Sequence, residues 1–387
     1  MKTMELVAPC HFGLEAVLKR EIIDLGYEIS YVEDGKVCFI GDAEAICRAN
    51  LFIRTAERIL IHIGSFHAET FEELFEGTKK LPWEDYIPEN GRFWVAKATS
   101  IKSKLFSPSD IQSIMKKAMV EHLKQKYHKE WFEEEGDHYP IRVSIMKDEV
   151  YVYMDTSGDS LHKRGYRLLN GKAPISETLA AALILLTPWK SDRILVDPFC
   201  GSGTFPIEAA MIGSNMAPGL QRSFLAEKWE NLIPAIEWQE VRREAEELVD
   251  MSIKMDIQAF DIDGEIIKAA RENARRAGVE KQIHFQQRPV KALSHPKKYG
   301  FLITNPPYGE RIETKESIES IYRELGEQFV ALDNWSAYII SSCEDTERYM
   351  GRKADKKRKI YNGMMKTCYY QFLGAKPPKA RINSGET

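Results

Sequence analysis

The sequence predicts an α/β chain in two parts: an α+β region over about the first 155 residues, then a mostly parallel sheet with crossover helices. Three observations carry this. Beyond residue 190, short apolar runs of strand length alternate with helical segments, the pattern of βαβ units. Before residue 156 the apolar period switches between 2 and 3.6, with turn signals between the runs. Between the two textures, Thr156 to Ala173 opens with a cluster of glycine and serine and reads as a connector. A length of 387 residues fits two or three domains, each large enough for its own core.

The elements follow in order. Met4 to Val7 is strand-like and leads into an amphipathic helix over about Leu14 to Leu25, which Gly26 ends. Glu28 to Val32 and Lys36 to Ile40 form a hairpin around Asp34-Gly35, and a helix follows near Ala43 to Leu51. This small unit needs a neighbour to complete its core. A second α+β pattern runs from about Ile59 to Asp155. Arg92 to Ala98 is a strand, and Ser109-Asp110-Ile111 opens a long helix with Ile111, Ile114, Met115, Ala118, Met119 and Leu123 at helical spacing. Pro140 to Met146 and Val150 to Asp155 form a hairpin around Lys147-Asp148-Glu149.

In the second half, strands are expected at Arg193 to Asp197, Ile257 to Asp261, Ile283 to Gln286, Phe301 to Thr304 and Trp335 to Ile340. The final apolar stretches, around Ile339 and Tyr369 to Leu373, close the sheet as an antiparallel pair.

Composition excludes several classes of protein. The apolar helical stretch Leu179 to Leu186 is far short of a bilayer span, and Met1 to Glu5 lacks a signal-peptide pattern, so no membrane partner and a cytoplasmic location are expected. Six cysteines without a C-x-x-C pair suggest neither a disulfide framework nor a metal site. The net charge of -4 argues against a general polyanion binder. Its distribution is uneven. Between Lys97 and Lys129 eight lysines face only Asp110 and Glu121, and a second basic run spans Arg352 to Lys359. Either run could be a solvated face. Together they suggest a local track for phosphates, with Lys102, Lys104, Lys116 and Lys124 as candidate RNA contacts.

Two constellations carry chemistry. Asp197-Pro198-Phe199-Cys200-Gly201-Ser202-Gly203-Thr204 is a strand end, a glycine turn and a helix start, where backbone can approach a ligand closely. The acidic Asp197 suits an ammonium rather than a phosphate, and the sequence lacks a P-loop lysine. The next strand ends in Asp261-Ile262-Asp263. Asp261 is placed to bind both ribose hydroxyls, while Asp263 fits better as a helix N-cap. A zwitterionic nucleoside such as S-adenosylmethionine satisfies this set. The second constellation is Asn305-Pro306-Pro307-Tyr308, past the apolar run Phe301 to Thr304. The Asn305 oxygen and the Pro306 carbonyl can accept the two protons of an exocyclic amine while Tyr308 stacks on its ring. A strand end followed by a proline turn is the plain structural alternative.

In order and spacing, Asp197 to Thr204, Phe260 to Asp263 and Asn305 to Arg311 resemble the motifs of class I S-adenosylmethionine-dependent methyltransferases that act on amino groups. Lys172 to Ala181 resembles the helix that lines their cofactor pocket. Leu161 to Arg167 and Asn215 to Phe224 resemble the THUMP-domain guanine-N2 RNA methyltransferases, in the RlmL N-terminal-half and YpsC-like branch. The resemblance implies a ferredoxin-like unit over 1–58, a THUMP RNA-binding domain over 59–156 and a linker over 157–172. It further implies a Rossmann-like domain with a mostly parallel seven-stranded sheet over 173–377, and a flexible tail over 378–387. The stretch from about 213 to 256 is then a long insertion. By this resemblance Thr178, Asp197, Pro198, Cys200, Gly201, Gly203, Thr204, Asp261, Ile262, Gln287 and Asn305 hold the cofactor. Asn305, Pro306, Pro307 and Tyr308 hold the amine, and Arg311 and Lys172 are candidate phosphate contacts. Where the family carries an acidic residue beside adenine, this chain departs and reads Gln286-Gln287-Arg288. The expected reaction is methyl transfer to N2 of a guanine, with 23S ribosomal RNA first in line. Transfer RNA guanine N2, adenine N6 and a protein glutamine amide are the alternative acceptors, and a non-catalytic RNA-binding or assembly role is the alternative of another class.

Overall fold

The computed structural model describes residues 3–167, 175–307, 315–363 and 365–378, with backbone alone at 315–317. It divides into two compact units. The first comprises Met1–Cys10, Leu14–Leu161 and Pro218–Glu247; the second comprises His11–Gly13, His162–Ala217 and Leu248–Thr387.

The first unit begins with β1 (Met4–Pro9), α1 (Glu15–Asp24), β2 (Glu28–Glu33), β3 (Lys36–Gly41) and α2 (Ala43–Phe52). It continues with β4 (Leu60–His67), α3 (Phe71–Lys79), β5 (Arg92–Ile101), α4 (Pro108–Tyr127), β6 (His138–Met146) and β7 (Glu149–Asp155). Local chemistry sets the boundaries. Asp42 caps α2 through Ala45 N–H, Thr70 and Glu73 form a capping box on α3, and Ser107 caps α4 ahead of Pro108. Lys147 and Asp148 both adopt positive φ, 54° and 67°, which is what a two-residue turn needs to match the twist of β6 and β7.

These strands form one seven-stranded sheet in the order β2-β3-β1-β4-β7-β6-β5. The neighbour the first sixty residues require is therefore β4, which pairs with β1 on one side and β7 on the other, so the two N-terminal regions share a sheet. Pro218–Glu247, which chain order would give to the C-terminal domain, belongs to this unit. Its helix α7 (Ala235–Glu247) lies against α2, with Arg48 paired to Glu244. Trp229 stacks on Tyr139 at 5.0 Å and donates its indole N–H to the His138 carbonyl at 2.9 Å.

The second unit contains α5 (Glu177–Leu185), β8 (Leu195–Asp197), α6 (Thr204–Gly213), β9 (Ile257–Asp261), α8 (Gly264–Arg276), β10 (Ile283–Gln287) and β11 (Phe301–Thr304). After these come α9 (Lys315–Ala331), β12 (Ser336–Ser341), α10 (Thr346–Tyr349), β13 (Lys356–Asn362) and β14 (Met365–Phe372). The sheet order is β10-β9-β8-β11-β12-β14-β13. The first five are parallel, while β14 runs antiparallel to β12 and to β13. The final antiparallel closure is as expected, but its edge strand β13 overlaps the basic run Arg352 to Lys359, where the sequence predicts no strand. Strand order reverses beside β8, so the crevice at the carboxyl ends of β8 and β11 is a topological switch point. Val196, Leu302, Ile339 and Phe372 are among the buried side chains that fix these strands. No helix among the described residues is long and apolar enough to cross a membrane.

Candidate active site

The switch point gathers the two sequence constellations at the ends of neighbouring strands. β8 and β11 pair in parallel, Leu302 opposite Val196, and this brings Asp197 and Thr304 together at their carboxyl ends. Thr304 Oγ1 donates to Asp197 Oδ1 at 2.6 Å, and the Phe199 N–H donates to the same oxygen at 3.1 Å. Asp197 is 1% exposed. Burial pushes its carboxyl up to about 7 against the opposing pull of those two donors, and the nearby Asp261 charge adds to the rise. Thr304 thus ties the amine-holding strand to the glycine-loop strand. Its sequence signal is a hydroxyl at the last position of an apolar strand.

The glycine loop is held from three sides. Cys200 N–H donates to the Phe260 carbonyl at 2.8 Å, Gly201 N–H to Asp261 Oδ2 at 3.1 Å, and Asn273 Nδ2 of α8 to the Ser202 carbonyl at 3.0 Å. Gly203, at φ +88°, caps α6 and faces α8: a Cβ there would lie 3.2 Å from the Ala270 Cβ. Both the positive φ and the close approach of α8 favour glycine at position 203. Gly201 differs, since it has φ +51° and, among the described residues, none beyond its chain neighbours comes within 4 Å of the place its Cβ would occupy. Its open side is the face a ligand can approach. Pro198 and Cys200 are buried, and burial holds the Cys200 thiol far above its usual range, so it is no nucleophile.

Asp261 Oδ1 accepts from Asp263 N–H at 3.1 Å while Oδ2 holds Gly201. Each oxygen keeps a lone pair for a further donor. Burial raises the carboxyl, with the two backbone donors opposing. Asp263 caps α8 through Glu265 and Ile266 N–H, as its position ahead of Gly264 predicts. Ile262 is 72% exposed beside this carboxylate, an apolar face at a polar strand end. Gln287 donates Nε2 to the Ile262 carbonyl at 2.9 Å and so fastens the end of β10 to the loop after β9.

Residues of the connector, missed as site elements, form a buried polar network under the loop. Arg167 Nη2 donates to Thr204 Oγ1 at 2.7 Å and Nε pairs with Glu177 at 3.0 Å. Arg164 and the Tyr166 hydroxyl both reach Glu208 Oε1, at 3.5 and 3.1 Å. Thr178 is fully buried in the first turn of α5, which Ser176 caps.

Asn305 follows Thr304 and is 8% exposed, and its buried Oδ1 has no hydrogen-bond partner among the described residues. Pro306 is buried and Pro307 partly so. Tyr308, Arg311 and Lys172 lie outside the described residues. The set fits a zwitterionic nucleoside: a glycine with open space beside it, a carboxylate with spare lone pairs at the second strand end, and a buried carboxyl at the first.

The lysine track needs correction. Lys116 is turned inward, its ammonium 3.6 Å from the Phe93 ring centroid and bonded to the Phe93 carbonyl and Glu134, and burial lowers its pKa. Lys104 pairs with Glu69, Lys124 with Glu130 at 3.5 Å, Lys126 with Glu84 at 2.5 Å and Lys129 with Glu89. Acids outside the helix thus neutralise much of its charge. Lys102 is exposed, at φ 53° on the loop before α4.

Comparison with known proteins agrees with this geometry. Residues 164–371 match the family described as RMKL-like, methyltransferase domain; residues 5–60 match the RlmL ferredoxin-like domain and 68–155 the THUMP domain. The chain is 49% identical over 383 residues to "Putative RNA methyltransferase YpsC" of Bacillus subtilis, covering 98% of this chain and 99% of that one. It is 31% identical to "Ribosomal RNA large subunit methyltransferase K/L" of Cellvibrio japonicus, covering 94% of this chain and 50% of that longer protein. Among solved structures, "a possible methylase from Clostridium difficile 630" superposes with TM-score 0.94 at 52% identity, over 98% of this chain and all of that one. SMU.472, "a putative methyltransferase complexed with SAH", gives 0.92 at 46%, over 97% of this chain and 99% of its own. The chain belongs to the RMKL-like family of S-adenosylmethionine-dependent methyltransferases, with an RlmL ferredoxin-like domain and a THUMP domain ahead of the catalytic one.

Proposed function

We propose that the protein methylates the exocyclic N2 of a guanine in RNA, and that this RNA is large-subunit ribosomal RNA. The observation that carries the reading is the Oδ1 of Asn305 at the switch point, buried and without a hydrogen-bond partner among the described residues. A buried acceptor without a donor costs about 1–3 kcal/mol, a cost that an incoming N–H relieves. The THUMP domain and the relatives named as RNA methyltransferases support RNA as the carrier of that amine.

S-adenosylmethionine supplies an electrophilic methyl group when bound. Asp261 is the residue to hold its ribose, the Gly201 face its backbone approach, and Asp197 the group nearest in kind to an ammonium partner. The exocyclic amine of guanine is a weak nucleophile because its lone pair is delocalised into the ring. Asn305 Oδ1 accepting one amine proton and the Pro306 carbonyl the other fix the nitrogen and turn its lone pair out of the ring plane. With two acceptors in place, no strong base is needed before the new bond forms. The burial of Asn305 keeps water from competing for its oxygen.

The test is nucleoside analysis of ribosomal and transfer RNA from cells lacking the protein, followed by restoration in vitro with the purified chain. Loss of N2-methylguanosine from large-subunit RNA is the expected result. Loss from transfer RNA alone moves the substrate, and loss of N6-methyladenosine overturns the guanine assignment.

A further inference from the structure

We propose that the cleft between the end of β12 and the β13–β14 hairpin is a second nucleic-acid subsite that seats a backbone phosphate beside the target base. The inference rests on the RNA reading above. The cleft has a volume of about 380 Å³, and Ser342, Lys357, Lys359, Lys366, Tyr370 and Glu344 line it.

The sheet places it. Ile339 of β12 pairs with Thr304 of β11, so Ser341 and Ser342 leave β12 on the same carboxyl edge from which Asn305 and Pro306 leave β11. Ser341 pairs in turn with Cys368 of β14. The cleft thus extends from one to three strand spacings from Asn305, about 5 to 15 Å across the sheet. The cleft and Asn305 therefore open from the same edge of the sheet, within reach of neighbouring nucleotides of one strand.

The register also puts the charges on one face. Lys357, Lys359 and Tyr361 alternate along β13, opposite Tyr370, Cys368 and Lys366 of β14. Lys359 and Lys366 are therefore diagonal neighbours, about 7–8 Å apart at the backbone, with long stems that can converge. Like charges at that range repel, and an anion between them removes the repulsion. Three other cations of the run are already engaged: Arg352 pairs with Asp355, Lys357 with Glu347 at 2.8 Å, and Arg358 donates to the Gly13 carbonyl, while Lys353 and Lys356 lie outside the lining of the cleft. Lys359 and Lys366 are exposed and have no acidic partner among the described residues. Against them stands the Glu344 carboxylate, so the pair retains an excess of one positive charge in the cleft. Tyr361, 48% exposed on the same face, adds the aromatic surface that single-stranded RNA sites interleave with cations.

The experiment uses the full chain and an unmodified large-subunit ribosomal RNA transcript, with affinity measured between 50 and 200 mM salt, a range chosen as roughly that over which phosphate contacts reveal themselves. The double variant K359Q/K366Q is expected to flatten the slope of log affinity against log salt by about 1.4, at roughly 0.7 per contact on a single strand. Each single variant should give about half that change, and K356Q on the opposite face none. Cofactor affinity should stay at the wild-type value in all of them, which shows that the catalytic unit is folded. Wild-type protein that binds and methylates the transcript while the double variant keeps the full salt slope overturns the cleft alone. Wild-type protein that binds no RNA overturns the RNA reading and the cleft with it.

Discussion

Replacing Asn305 with alanine should move stability and activity in opposite directions. The Oδ1 is buried and has no partner among the described residues, an arrangement that costs about 1–3 kcal/mol. Alanine removes that cost but gives back part of it through lost packing, so the net change lies between zero and a gain of about 2 kcal/mol. At about 2–4 °C per kcal/mol for a unit of this size, the melting temperature should hold or rise by several degrees. The same oxygen is asked to hold the amine as bond formation begins. Loss of one such preorganised polar contact costs on the order of 10²–10³ in rate. The assay is single-turnover methyl transfer to RNA from cells lacking the protein, alongside thermal melting and calorimetric titration with S-adenosylmethionine. Cofactor affinity should change less than threefold, by about 0.6 kcal/mol at most. Transfer within tenfold of wild type would refute the catalytic reasoning. A melting temperature lowered by more than about 4 °C would show that Asn305 is structural, since about 1 kcal/mol or more of stability would then have gone with it.

Further expectations concern the groups around it. Asp197 holds its proton up to about 7 in the folded chain against an ordinary value of 3.8. Between those values the native state binds more protons than the unfolded one, so stability should fall as pH rises, by about 1.4 kcal/mol per pH unit at most. Urea unfolding at pH 5 and 8 should show this decline, and Asp197→Asn should abolish it; an equal decline in the variant refutes the assignment. Thr304→Val deletes the 2.6 Å donor to Asp197 with little change of shape, at a cost of about 1.5–3 kcal/mol above pH 7, and should raise the pH at which the decline ends. Gly203→Ala and Gly201→Ala should separate fold from ligand. Both sit at positive φ, so each alanine carries backbone strain; the first also meets α8 at 3.2 Å and should destabilise the unit by about 1–3 kcal/mol, whereas the second meets no neighbour and should reduce cofactor affinity in a titration beyond what its smaller stability loss accounts for.

Much of the architecture was legible because strand ends coincide with chemistry. The apolar runs before Asp197, Asp261 and Asn305 are strands, and their parallel pairing follows from the helical segments between them. What failed to show was any element whose burial is one-sided or supplied by a distant segment. β13 reads Lys356-Lys357-Arg358-Lys359-Ile360-Tyr361-Asn362 and buries only Ile360 among these, so an edge strand with charged faces looks like a loop. The affiliation of Pro218–Glu247 was hidden for a different reason. Trp229 and Trp238 are ordinary core residues in sequence, and nothing local says that their stacking partners are Tyr139, ninety residues upstream, and Phe224.

For the site, residue type was legible and availability was not. Asp261, Asp263 and Gly203 sit where spacing put them, yet which glycine faces a neighbour and which faces open space depends on α8, a helix more than sixty residues away. The lysines make the same point with opposite sign. Counting charge from Lys97 to Lys129 gives a basic helix, but Glu69, Glu84, Glu89, Glu130 and Glu134, all outside that window by sequence, meet five of those lysines in space. Along Arg352 to Lys359 the reverse operates: partners absorb Arg352, Lys357 and Arg358, and the strand register brings Lys366 to Lys359. A cation's worth to a phosphate is therefore set by what remains unpaired after folding, and on that measure the C-terminal hairpin, not the long helix, holds the stronger claim.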